Sequence, residues 1–102
     1  MSFGLEQVEM IEGGADREEE YFAALQAAIN SLHAWRFQGS YGRSMMDAIE
    51  SGRCMLASSS TRDYYGNRIP SRDEVEKGTK GSRSYVAKRF GEKWAAEMEA
   101  VL

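Results

Sequence analysis

The sequence predicts a mainly α fold: a small single domain of two long helices, two short helices and a loop-rich centre. Three observations lead there. Apolar residues recur at three- and four-residue spacing over residues 17–36 and again from Val86 to Val101. Glycine and serine clusters punctuate the chain between these stretches. The chain has 102 residues, 42% hydrophobic and 28% charged, enough for one core without disulfides or a metal. We read residues 1–102 as one domain.

The first residues, LEQVEMIEGG, place Leu5, Val8 and Ile11 three apart. A marginal helix and a flexible extended arm both fit residues 1–14, and Gly13–Gly14 then breaks the chain. The next segment carries the clearest pattern. Asp16 and Glu19 make a capping-box-like start, and Glu18, Glu19 and Glu20 complement the positive end of the helix dipole. Tyr21, Leu25, Ala28, Leu32 and Trp35 follow one helical face, widened by Phe22 and Ile29. The spacing predicts a helix over about 17–36, stopped near Gly39.

SYGRSMMDAIESG reads as a second, shorter helix. Ser40 or Ser44 caps it, Met45, Met46 and Ile49 supply its apolar face, and Gly52 suits a left-handed stop. Cys54, Met55 and Leu56 fit the end of that helix, a short strand or a buried connector equally. In STRDYYGNRIP, a small β-hairpin near 62–69 with Gly66 and Asn67 at its tip competes with an irregular loop. Pro70 ends that stretch. Ser71 and Glu74 then form an S-x-x-E capping box, so one to two helical turns are expected over 72–77, ended by Gly78. Ser82 or Ser84 caps the last helix, whose Val86, Phe90, Trp94 and Met98 lie four apart. Gly91 in its middle costs about 1 kcal/mol against alanine and marks a kink or a close helix contact.

Several function classes lose support from composition. One cysteine and one histidine fall short of a structural zinc site, so we expect no metal and no cofactor. Cys54 reads as a small buried hydrophobe and His33 as a helix residue. GTKGS lacks phosphate-loop spacing, Ser58–Ser60 has no nucleophile elbow, and no carboxylate pair sits in an apolar context. We expect no catalytic residues and no enzyme. No run is long enough to span a membrane, and the N-terminus has neither a basic start nor an apolar signal core, so a soluble cytoplasmic protein is the expectation.

Charge is distributed unevenly. Residues 1–20 hold seven acids against Arg17, while residues 62–89 hold eight bases against four acids. Such a split marks a solvated surface, a partner-binding face, or two faces that pair with each other. The acids from Glu12 to Glu20 could also meet a basic partner, although dipole compensation already explains three of them. Two site candidates follow from the basic region. Arg62, Tyr64, Tyr65, Arg68 and Arg72 combine the residue types enriched at protein interfaces. Arg62, Tyr64, Tyr65 and Arg68 also join Trp35, Arg36, Phe37, Tyr41 and Arg43 in an aromatic–basic set that suits single-stranded nucleic acid.

The second candidate lies in SRDEVEKGTKGSRSYVAKRFGEKW. Its Gly81, Ser82, Val86, Phe90 and Trp94 loosely resemble the helix-turn-helix domains of some plasmid regulators. That resemblance implies that Arg83, Ser84, Tyr85, Lys88 and Arg89 would face DNA, with a dimer needed in a chain of isoelectric point near 5.2. A helical corner with solvated bases is the plainer alternative. The segments SYGRSMMDAIESGRCML and RDYYGNRIPSRDEVEKGTKGS resemble small proteins of bacteriophages and prophages. This resemblance implies an inhibitor or adaptor of a host protein or protein complex, for example a defence complex such as CRISPR–Cas, acting as a monomer or homodimer. It assigns no site residues.

Overall fold

A computed structural model describes residues 18–36 and 40–101. In chain order they form α1 (Glu18–Ser31), a 3-10 turn (Ala34–Arg36), α2 (Ser40–Ser51), β1 (Thr61–Arg62), β2 (Arg68–Ile69), α3 (Arg83–Phe90) and α4 (Glu92–Glu99). The fold is mainly helical, as the spacing predicts. The N-terminal arm, the Asp16 cap, Phe37 and Gly39 lie outside the described residues.

Helix α1 starts with three glutamates in its first turn and buries Leu25, Ala28 and Ile29. It stops earlier than expected. Leu32 takes φ 66°, a left-handed conformation unusual for a branched side chain. Ser31 helps end the helix: its hydroxyl donates to the Ala28 carbonyl at 2.7 Å and accepts from the Ala34 N–H at 3.3 Å. Serine bonded to nearby backbone competes with helix continuation. The chain then bends through the exposed His33 into the 3-10 turn, which turns Trp35 inward to 3% exposure. In α2, Met45, Ala48 and Ile49 are buried, while Met46 is 39% exposed and leaves the apolar face the sequence assigns it.

The stretch from Cys54 to Ala57 is a buried connector, neither helix nor strand. Its backbone polar groups therefore need partners. Gln26, fully buried on α1, supplies two: its Oε1 accepts from the Met55 N–H and its Nε2 donates to the Met55 carbonyl, each at 2.9 Å. A side-chain amide thus takes the place of a neighbouring strand. Gln26 also donates to Asn30, whose own Nδ2 reaches the Val101 carbonyl at 2.8 Å. Cys54 directs its thiol to the Phe22 carbonyl, and burial pushes its pKa well above the ordinary thiol range. A thiol held neutral in this way is chemically inert.

The capping-box pair is present, but the helix expected over 72–77 is not. The Glu74 carboxylate accepts from the Ser71 N–H at 2.9 Å, and the Glu74 N–H bonds the Ser71 carbonyl. Successive turns follow instead of an α-helix. The segment is held from outside: the Arg72 N–H bonds the Ala57 carbonyl, and the Arg72 guanidinium donates to the Leu56 carbonyl. Glycine is required further on at Gly81, where φ is 95° and an added Cβ would stand 2.5 Å from Leu56 Cδ1. The Gly81 carbonyl accepts from the Leu56 N–H, docking the turn before α3 on the connector.

Ser82 caps α3, accepting from the Tyr85 N–H at 3.1 Å. The final helix breaks at Gly91, φ 97°, where nothing lies within 4 Å of a Cβ position. The glycine therefore makes a backbone break rather than a close helix contact. The break shifts the helical register, so Val86, Ala95 and Met98 are buried while Phe90 stays 37% exposed.

Candidate interaction surface

The residues from 61 to 69 form the antiparallel hairpin, Thr61 opposite Ile69 and Arg62 opposite Arg68. Asp63 builds its tip. One carboxylate oxygen accepts from the N–H groups of Tyr65 and Asn67, each at 2.9 Å. The Asp63 N–H donates to the Asn67 carbonyl, the Gly66 N–H donates to the Asp63 carbonyl, and Arg62 donates to the Gly66 carbonyl at 2.8 Å. Aspartate bonding backbone two residues on is a turn-forming device. These bonds hold Tyr64 and Tyr65 outward at 52% and 74% exposure, rings edge to face with centroids 5.1 Å apart. Adjacent residues of an extended loop would point opposite ways; the turn exposes both.

The tip walls a groove of about 470 Å³ against α2. Trp35, Met46 and Ile69 give it an apolar lining, and Asp47, Glu50 and Asp63 bring carboxylates against a single base, Arg43. Trp35 carries the one buried side-chain polar atom among the described residues that lacks a hydrogen-bond partner, its Nε1–H. A buried unpaired donor costs on the order of 1–3 kcal/mol, so each one asks for an explanation.

Of the residues the sequence singles out, Arg62, Tyr64, Tyr65 and Arg68 share the hairpin. Arg72 does not join them. Its guanidinium turns inward, with Nε donating to the Leu56 carbonyl at 2.7 Å and a terminal nitrogen 3.5 Å from Asn30 Oδ1. Desolvation lowers its pKa, an effect opposed by the field of Glu99. Arg68 is paired with Glu74, whose pKa is pulled down to about 2, first by the Ser71 N–H and then by Arg68. Asp47 and Glu50 of α2 also line the groove and lie outside the aromatic–basic pattern of the sequence. Arg43, Met46, Asp47 and Glu50 do recur at three- and four-residue spacing on the expected second helix, which was the available signal.

The second set behaves otherwise. Arg83 bonds Glu92 at 2.6 Å and Glu99 at 2.9 Å, and these carboxylates raise its pKa further above the ordinary arginine value. Ser84 accepts from the Gly78 N–H at 2.7 Å. The Tyr85 hydroxyl reaches the Glu50 carbonyl, and Arg89 lies over the Tyr85 ring at 5.7 Å. Lys88 is exposed. Elsewhere in this corner Arg53 pairs with Glu18 and lies over the rings of Phe22 and Phe90.

Among the described residues no three His, Cys, Asp or Glu side chains gather closely enough to hold a metal ion, and no helix is long and apolar enough to cross a membrane. No protein-family model, curated protein or solved structure matches the chain.

Proposed function

We propose that this chain is a non-enzymatic protein–protein interaction module that binds a partner protein through the Tyr64–Tyr65 hairpin tip and the groove beside it. The observation that carries this reading is the pair of exposed tyrosines on a tip already ordered by Asp63. Tyrosine offers large contact area for little conformational entropy, and a preordered loop lowers the cost of binding. The groove adds an apolar wall and a rim that carries Asp47, Glu50 and Asp63. A basic or amphipathic side chain of the partner fits that chemistry. Inhibition or adaptation of a host protein complex, which the phage resemblance implies, is one use of such a surface.

The test is affinity capture from bacterial lysate, with and without nuclease, using the wild type and the Tyr64→Ala and Tyr65→Ala variants. A protein held by the wild type after nuclease and lost by the variants supports the reading. Equal capture by all three removes the tyrosine tip from the mechanism.

The helix-turn-helix reading has weaker physical support. The turns over 71–81 supply no first helix, and the acids of α4 stand beside Arg83. Phosphate contacts dominate DNA affinity, so a basic helix already paired with carboxylates has less to offer. Binding to duplex DNA that falls steeply with salt and weakens in Lys88→Ala would restore it.

A further inference from the structure

A second cavity, about 560 Å³, opens where the bend after α1 meets the hairpin, and its lining shares no residue with the tyrosine groove. His33, Arg36, Arg62 and Arg68 line it together with the Ser60 hydroxyl, and no carboxylate does so among the described residues. We propose that this pocket binds a small phosphate monoester or the free phosphate oxyanion, gripped by Arg36 and Arg62.

The hairpin register gives the first argument. It sets Arg62 directly opposite Arg68, and like charges at facing positions destabilise a strand pair. Glu74 already answers Arg68, so the charge left for an anion in the pocket to answer at this pair is that of Arg62. The second argument is availability. Arg62 spends one terminal nitrogen on the Gly66 carbonyl, which orients its guanidinium and leaves its other donors for a ligand. Among the described residues the side chains of Arg36 and His33 have no hydrogen-bond or ion-pair partner, and both are exposed. Arginine's planar fork suits tetrahedral oxyanions in paired hydrogen bonds.

Two features oppose an anion, and their size decides the matter. Glu74 neutralises Arg68, reducing that residue to a support for the hairpin wall. The C-terminal end of α1, at Ser31 and Leu32, also lines the pocket, and a helix C-terminus carries about half a negative charge. Arg36 and Arg62 bring two full positive charges against that half. The Thr61 hydroxyl donates to the Leu32 carbonyl and so takes no part as a donor, leaving Ser60 as the neutral one. A volume of this size accepts a phosphate with a small organic group attached.

The experiment is a titration of the full chain, followed by backbone amide NMR shifts, with inorganic phosphate and with phenyl phosphate at constant ionic strength balanced by chloride. The expected result is saturable shifts centred on Ser60, Thr61 and Arg62, with dissociation constants on the order of 0.1–10 mM. Arg36→Gln and Arg62→Gln should each weaken binding roughly tenfold or more, as loss of a charge-assisted bond does. Both side chains are exposed, so unchanged spectra elsewhere will show the variants folded. Tighter binding of phenyl phosphate assigns the site to an ester, and equal binding to the free oxyanion. Shifts that rise linearly without saturating, or constants unchanged in both variants, overturn the proposal.

Discussion

The arginines around the hairpin and those of the helical corner are equally conspicuous in the sequence, yet the fold employs them differently. At the corner Arg83 joins Glu92 and Glu99, Arg72 bonds the connector backbone, and Arg53 joins Glu18 beneath two aromatic rings. Those charges are consumed in holding segments together. Around the hairpin Arg68 is likewise paired, with Glu74, but Arg36 has no side-chain partner among the described residues and Arg62 makes a single backbone bond. A count of bases along the chain therefore misjudges surface potential, because a pairing partner nine or sixteen residues away cancels it. The aromatics divide in the same way: Trp94 donates to the Arg53 carbonyl at 2.8 Å, whereas Tyr64 and Tyr65 stand in solvent.

Variants can break or sharpen this contrast. The largest effect belongs to the interior beside the corner. Gln26→Ala leaves the Met55 N–H and carbonyl buried without partners, and should cost about 3 kcal/mol in urea unfolding. A loss well under about 1 kcal/mol would mean that the connector does not depend on this amide. Arg72→Met keeps much of the side-chain volume but removes its bond to Leu56, and should cost about 2 kcal/mol by the same measurement. If Arg72→Met is neutral, the division between consumed and available arginines fails at its clearest member.

The third effect is one of pH. Glu74 sits at about 2 in the folded chain against an ordinary 4.5. A depressed carboxylate stabilises the fold above its unfolded pKa, and that contribution disappears as pH falls through the folded value. Between about pH 4.5 and pH 2 the melting temperature of the wild type should therefore fall more steeply than that of Glu74→Gln. Parallel curves would show that the Ser71 and Arg68 bonds do not favour the ionised form. The smallest effect is at the hairpin mouth: Arg36→Met should change unfolding free energy by no more than about 0.5 kcal/mol, because that side chain has no partner among the described residues. A larger loss would reveal an internal partner and close the phosphate pocket.

Much of the helical framework is legible in the chain. The faces carrying Leu25, Ala28 and Ile29 and then Val86 and Met98 follow from spacing alone, and the Ser82 cap follows from local chemistry. The candidate site is only half legible. Arg62, Tyr64, Tyr65 and Arg68 stand out by residue type, but Asp47 and Glu50 belong to a helix whose other face draws attention. Arg72 reads as one more surface base until Leu56 and Asn30 are seen beside it.

Local interactions determine helix type, caps and turns, because their partners lie within four residues: Ser82 with Tyr85, Ser71 with Glu74, Asp63 with Asn67. The sequence by itself therefore specified a mainly helical chain and its principal helical faces. Tertiary structure decided why a glutamine is buried and which arginines remain available. Those outcomes depend on partners far along the chain, Met55 for Gln26 and Glu99 for Arg83. The energy of such a pair exists only once folding has brought its members together, so no spacing rule within either segment contains it.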